Sequence, residues 1–294
     1  MPARKQLSSG PKRGAVPVWL AGGLFAVTCA WIAGGLNESV EQAGFARVDP
    51  SRVAFERPGG LDGIPEEWAE ILAGRLAELG ELSTLEDDLG ARIAEEVAYL
   101  PFIHEVGEVR VLWPDGVTVE IRLREPVACV RIGTDFSPVS ADGVILPGYW
   151  AGPPDFGQGL LPLIGPNEGT FDWCLPGDLI EEAHHLDALS VAVSMREHLS
   201  PGDFEALGPV LIDARRAAQT SVGEPGVRLR LEGSRDVFFG RAPRADEPGE
   251  LPAARKWSHL MAAVELLYGN EASDWDRVDV RWDVPALRPR YVVQ

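Results

Sequence analysis

His184 and His185 stand side by side in the chain, with Glu181, Glu182 and Asp187 around them and His198 further along. Imidazoles and carboxylates at such spacing hold divalent metals or move protons. At 100° per residue on a helix, His184 shares a face with Asp187, and Glu181 shares one with His185, so a weak metal site is geometrically open. Against it, the chain has no HExxH, no C-x-x-C and no other metal signature, and adjacent histidines on a helix diverge. The group therefore reads as a solvated helix face, with no metal and no cofactor expected. His104, just ahead of a hairpin, and His259, on a helix, read as ordinary.

Nucleophile and phosphate motifs are missing as well. There is no G-x-S-x-G and no S-x-x-K, and Gly157-Gln158-Gly159 lies in a Pro-rich loop rather than a strand-to-helix turn. Glu66-Glu67 and Asp87-Asp88 fall in first helical turns, where the helix dipole accounts for them. Trp150 and Trp173 lie in loops and mark either a contact surface or packing. No catalytic residue emerges, so the chain is expected not to be an enzyme. A membrane-anchored hydrolase using the His184/His185 region is the alternative of another class.

The elements that carry these residues follow from periodicity. Asp178 to Leu199 reads as an amphipathic helix, followed by a strand at Val210–Asp213. Residues 227–231 and 236–240 flank a Glu232-Gly233-Ser234 turn, and Pro252 opens a helix to about Tyr268. Trp68, Ile71, Leu72, Leu76 and Leu79 make the stripe of an earlier helix that begins at Pro65. Ser83 and Thr84 read as the cap of the next helix, which runs to about Leu100. Val48 to Phe55 reads as a first strand. The last strand, Asp276 to Trp282, puts Val278 and Val280 on one face and Asp279 and Arg281 on the other.

The 294 residues carry a formal charge of −18, unevenly distributed. Arg4, Lys5, Lys12 and Arg13 precede the uncharged run Val16–Leu36, and the remainder holds 23 Lys and Arg against 45 Asp and Glu. So acidic a surface argues against nucleic acid or anionic lipid as a partner. The 21-residue run spans roughly 30 Å as a helix, about one hydrocarbon core, and has Trp19 and Trp31 toward its ends. It reads as a signal anchor with the basic tail cytoplasmic and the acidic part extracytoplasmic. Cys129 and Cys174 are the pair available for a disulfide in an oxidising compartment, although Ala128 and Val130 beside Cys129 suit a buried small hydrophobe.

One stretch organises the rest. Ile93, Val97 and Leu100 form a helical stripe that stops before Pro101. Val109, Val111 and Trp113 then alternate with polar neighbours. After a Pro114-Asp115-Gly116 turn, Val117, Val119, Ile121 and Leu123 do so again. Helix, L-P-x-I, strand, P-D-G turn, strand and Arg124-Glu125-Pro126-Val127-Ala128 together resemble the end of a POTRA domain as found in the FtsQ/DivIB family of bacterial cell-division proteins. Leu161–Pro166, the Asp142-Gly143 turn and the terminal strand Asp276-Arg277-Val278-Asp279-Val280-Arg281-Trp282 are similar to further family segments.

The resemblance implies an α+β fold in four parts. These are a basic tail (1–15), a transmembrane signal anchor (16–36), a connector with a β-α-α-β-β POTRA domain (37–125), and a mixed α/β domain dominated by antiparallel strands (126–294). It implies a single-pass type II protein of the cytoplasmic membrane at the division septum. Its partners would be small single-pass coiled-coil proteins of FtsB and FtsL type, with no small-molecule substrate. The partner would bind at the C-terminal edge through Val278, Val280, Arg281, Trp282, Arg290 and Tyr291. Trp282 either supplies that contact or fills the core. Pro285 and Pro289 stand where the family leaves its edge open, so the final strand is either Arg290–Gln294 or a different edge. Another anchored POTRA protein, serving secretion or envelope assembly, is the related alternative.

Overall fold

The computed structural model describes residues 25–32, 35, 47–49, 53–56, 65–113, 116–165, 169–219, 224–245, 249–268 and 275–289. In the first half of the chain, strands β1 (Arg47–Val48), β2 (Ala54–Glu56) and β3 (Leu82–Ser83) accompany helices α1 (Glu66–Glu78) and α2 (Leu89–Ala98). The long hairpin β4 (Ile103–Leu112) and β5 (Gly116–Leu123) follows. Val117, Val119 and Ile121 of β5 are buried while Glu120 and Arg122 face water, and β5 is the centre of a three-stranded sheet. It pairs parallel with β2 and antiparallel with β4. Trp68, Leu72 and Leu76 of α1 and Leu89, Ile93 and Val97 of α2 close over the strands in one apolar core.

The second half builds a larger sheet from β6 (Pro126–Ile132), β7 (Asp135–Ser140), β8 (Leu163–Ile164), β9 (Leu211–Asp213), β10 (Val227–Leu231), β11 (Arg235–Gly240), β12 (Trp275–Asp279) and β13 (Ala286–Pro289). Its order is β13-β12-β11-β10-β9-β8-β6-β7, with parallel pairs at β6/β8, β8/β9 and β11/β12. Helices α3 (Ala183–His198), α4 (Pro201–Leu207) and α5 (Ala253–Tyr268) pack with it around a second core. Ser200 caps α4 reciprocally with Asp203, a capping box with proline at the first helical turn.

The two cores meet at one tryptophan. Trp68 stacks on Phe102 at 5.1 Å, and its Nε1 donates to the Pro147 carbonyl at 2.8 Å. Val144 and Leu146, which belong to the second half of the chain, pack into the first core. The Arg124 guanidinium pairs with Asp142 across the same joint.

Several expectations are corrected here. The chain is α+β, but among the described residues no helix is long and apolar enough to cross a membrane. Residues 25–32 are helical, while most of the expected anchor at 16–36 and the whole tail at 1–15 lie outside the described residues. The second helix takes Asp88 as its N-cap rather than Ser83 or Thr84, because Ser83 is spent in β3, paired with Arg47. Helix α3 starts at Ala183, five residues later than periodicity suggested. It is not one-sided either, since His185, Ala188, Val191, Ser194 and Met195 are all buried. The larger sheet mixes parallel with antiparallel pairs. Cys129 and Cys174 are both free, and the buried Cys129 thiol donates to the Leu161 carbonyl at 3.6 Å.

The joint makes a graded stability prediction. Trp68→Ala removes a large buried ring and should cost about 3–5 kcal/mol. Trp68→Phe keeps the stacking but orphans the Pro147 carbonyl, at about 1–3 kcal/mol. Denaturant unfolding checks both, and equal losses would mean that the hydrogen bond carries the joint.

Candidate functional site

The C-terminal edge begins with an alternation that the sheet uses inward. Val278 and Val280 are fully buried in the second core, and Val278 lies opposite Val237 on one side and Leu287 on the other. Strand β12 is therefore internal. The edge strand is β13, which runs between the two prolines: Pro285 precedes it and Pro289 ends it, opposite Trp275. All four β13 residues are exposed, and Arg288 holds Asp276 of β12 in a fork at 2.6 and 2.7 Å.

Arg281 does not face outward. Its side chain has 0 % exposure, with Nε and Nη2 donating to the two oxygens of Asp279 at 2.9 and 2.7 Å, and Nη1 to the Glu224 carbonyl at 2.8 Å. The hydrogen bonds it donates to Asp279 hold the guanidinium charged despite burial, which opposes it. A buried guanidinium with such partners is unavailable to a binding partner, which corrects the expected place of Arg281 in the binding edge. Beside it, Lys256 Nζ donates to Glu250 Oε2 at 2.7 Å, and the same oxygen accepts Arg241 N at 2.8 Å. Gly240, at φ +84°, is required here, since a Cβ would lie 2.2 Å from Glu250 Oε2 and 2.7 Å from Arg281 Cδ.

Trp282 is neither core nor free. Its ring lies 5.4 Å from the Arg281 guanidinium, and it remains 41 % exposed. Val284 and Leu287 add exposed apolar surface at 77 % and 38 %. Arg290 and Tyr291 lie outside the described residues.

The histidines form a second grouping, with a different acid from those the helical wheel assigned. Asp187 is taken by Arg244, whose Nε reaches it at 2.5 Å. Glu182 is the N-cap of α3 in extended conformation, so the wheel does not apply to it, and its side chain makes no capping hydrogen bond. Instead its Oε2 lies 3.4 Å from His184 Nε2 and 3.5 Å from His185 Nδ1. Helical side chains lean back toward the N-terminus, and the two adjacent rings converge to 3.9 Å between centroids rather than diverging. His185 is 4 % exposed, packed 4.7 Å from the Phe171 ring, so the solvated-face reading fails for it. Burial, and then the His184 charge, push its pKa down against the opposing pull of Glu182. His198 is elsewhere on α3, bonded through Nδ1 to the Ser194 carbonyl at 2.8 Å. The E-x-H-H string was the signal for this cluster.

A scan against protein-family models and a search of curated proteins found no match to this chain.

Two outcomes follow. His185 has a folded pKa below its ordinary value near 6.5, so the unfolded chain binds more protons. Its contribution to stability is therefore complete above about pH 6.5 and is lost as pH falls through the depressed value. Unfolding curves between pH 7.5 and 5 should show the loss, and His185→Asn should flatten it. Arg281→Met leaves Asp279 without its cation and should cost about 3–5 kcal/mol. An unchanged midpoint would mean that water replaces the guanidinium.

Proposed function

We propose that this protein is a scaffold of the bacterial division machinery. It acts on the extracytoplasmic side of the cytoplasmic membrane and captures small coiled-coil proteins of FtsB and FtsL type. The reading starts from the resemblance of residues 95–132 to the FtsQ/DivIB family. The observation that supports it is the place of β13, which ends the large sheet among the described residues beside exposed apolar side chains.

The other sheet edges are managed. Strand β7, at the opposite end, is covered by the chain's own loop. Phe136 and Trp150 exchange backbone hydrogen bonds at 2.8 and 3.0 Å, and Leu146 N reaches the Pro138 carbonyl at 2.8 Å. In the small sheet, β2 is three residues long, and β4 breaks register with β5 twice, between Ile103 and Glu105 and between Val106 and Val109. Short or bulged edges resist pairing. Strand β13 ends in a proline that withholds one donor, but it carries exposed Leu287 and follows exposed Trp282 and Val284. An extended segment could add there, with backbone bonds giving affinity and the apolar residues giving selectivity.

The test is binding of an FtsB-type extracytoplasmic segment to the purified chain. Leu287→Asp and Trp282→Ala should each weaken binding at least about tenfold, which corresponds to roughly 1.4 kcal/mol. The loss of the Trp282 contact to Arg281, about 0.5–1 kcal/mol, should lower the melting temperature by no more than about 2–4 °C. Binding that survives both substitutions would remove β13 as the docking edge. Selective binding of secretion or envelope-assembly components instead would favour the adaptor reading.

A further inference from the structure

We infer that Glu182, His184 and His185 form a three-ligand site for a divalent cation of the zinc class at the start of α3. Each offers one ligand atom, and the three atoms lie within 4.8 Å of one another. The Glu182 oxygen stands 3.4 and 3.5 Å from the two imidazole nitrogens. Those separations exceed an ordinary N–H···O bond of about 2.7–3.2 Å. They match the edges of a tetrahedral zinc polyhedron, where bonds of about 2.0–2.2 Å place neighbouring ligands roughly 3.3–3.6 Å apart.

The surroundings support the tripod. His185 is held by Phe171 on one side and by the backbone near Gly165 on another: a Cβ added at Gly165 would lie 2.5 Å from the Phe171 ring and 3.3 Å from His185 Nε2. Segment 178–180 is tied to the preceding turn by Ile180 N to the Gly143 carbonyl at 2.9 Å and Ile145 N to the Asp178 carbonyl at 3.0 Å. The base of the site is thus preformed, while Glu182 and His184 lie at the surface, where a cation can enter and a water can complete the coordination. Asp178, Glu181 and Glu182 are exposed on the segment that leads into α3, while Arg244 is already engaged by Asp187 and the Ala183 carbonyl. The helix N-terminus disfavours a cation by itself, so the carboxylate ligand is essential to the charge balance. Two imidazoles with one carboxylate suit zinc, cobalt or nickel better than magnesium or calcium, which prefer all-oxygen shells.

The experiment uses the full chain stripped with a chelator, with Zn²⁺ or Co²⁺ alone as probe, so it is independent of any division partner. One equivalent of metal should remain after free ions are removed. Bound Co²⁺ should show the intense visible absorption of tetrahedral coordination. Glu182→Gln and His184→Ala change surface side chains, and each should weaken affinity by more than about 100-fold, beyond the effect of losing an outer-shell partner. His198→Ala should bind as the parent does. Circular dichroism confirms that each variant is folded. Absence of saturable one-equivalent binding, or parental affinity in Glu182→Gln and His184→Ala, overturns the site.

Discussion

A guanidinium with no exposure must have every side of its charge answered by the protein, and Arg281 imposes that demand on the C-terminal half of the fold. Asp279 meets it from the end of β12, and the Glu224 carbonyl meets it from the segment leading into β10. The Arg281 carbonyl in turn accepts Leu251 N at 3.2 Å, just ahead of α5. Three stretches distant in sequence are pinned around one side chain, with the Glu250–Lys256 pair buried beside them. Burying so many charges gains little net stability, but it leaves few alternative arrangements that would satisfy them. The position of β12, and hence of the strand that pairs with it, depends on this arrangement.

Strand β13 inherits its role from that constraint. It ends the sheet among the described residues, paired on its inner side with a strand whose other side is locked to β11. The opposite end of the sheet spends the loop around Trp150 on covering itself. A protein that blunts one edge with its own backbone and leaves another beside exposed Trp282 and Leu287 has an asymmetry that strand addition would use. The joint at Trp68 supports the same arrangement from the other side, since it couples the small sheet and its helices to the larger one.

The histidine cluster is a separate matter of local geometry. It arises because an N-cap residue leaves the helical spiral while the next residues enter it, so three nearby side chains point to one place.

By itself the sequence determined whatever depends on near neighbours. The period of two over residues 117–123 specified the central strand of the small sheet, and the Trp68/Leu72/Leu76 and Ile93/Val97 stripes specified the helices above it. Proline fixes backbone angle and removes a donor, so Pro252 marked a true helix start from sequence alone. Tertiary structure decided the rest. An arginine two positions after an aspartate reads as a surface residue until three distant segments close over it. Whether Asp276–Trp282 is an edge depends on whether the four residues that follow Pro285 pair with it, which no local pattern states. His184 and His185 looked divergent on an ideal helix. They converge to one carboxylate at the helix start, and Phe171, distant in sequence, buries one ring, a long-range contact that spacing does not state.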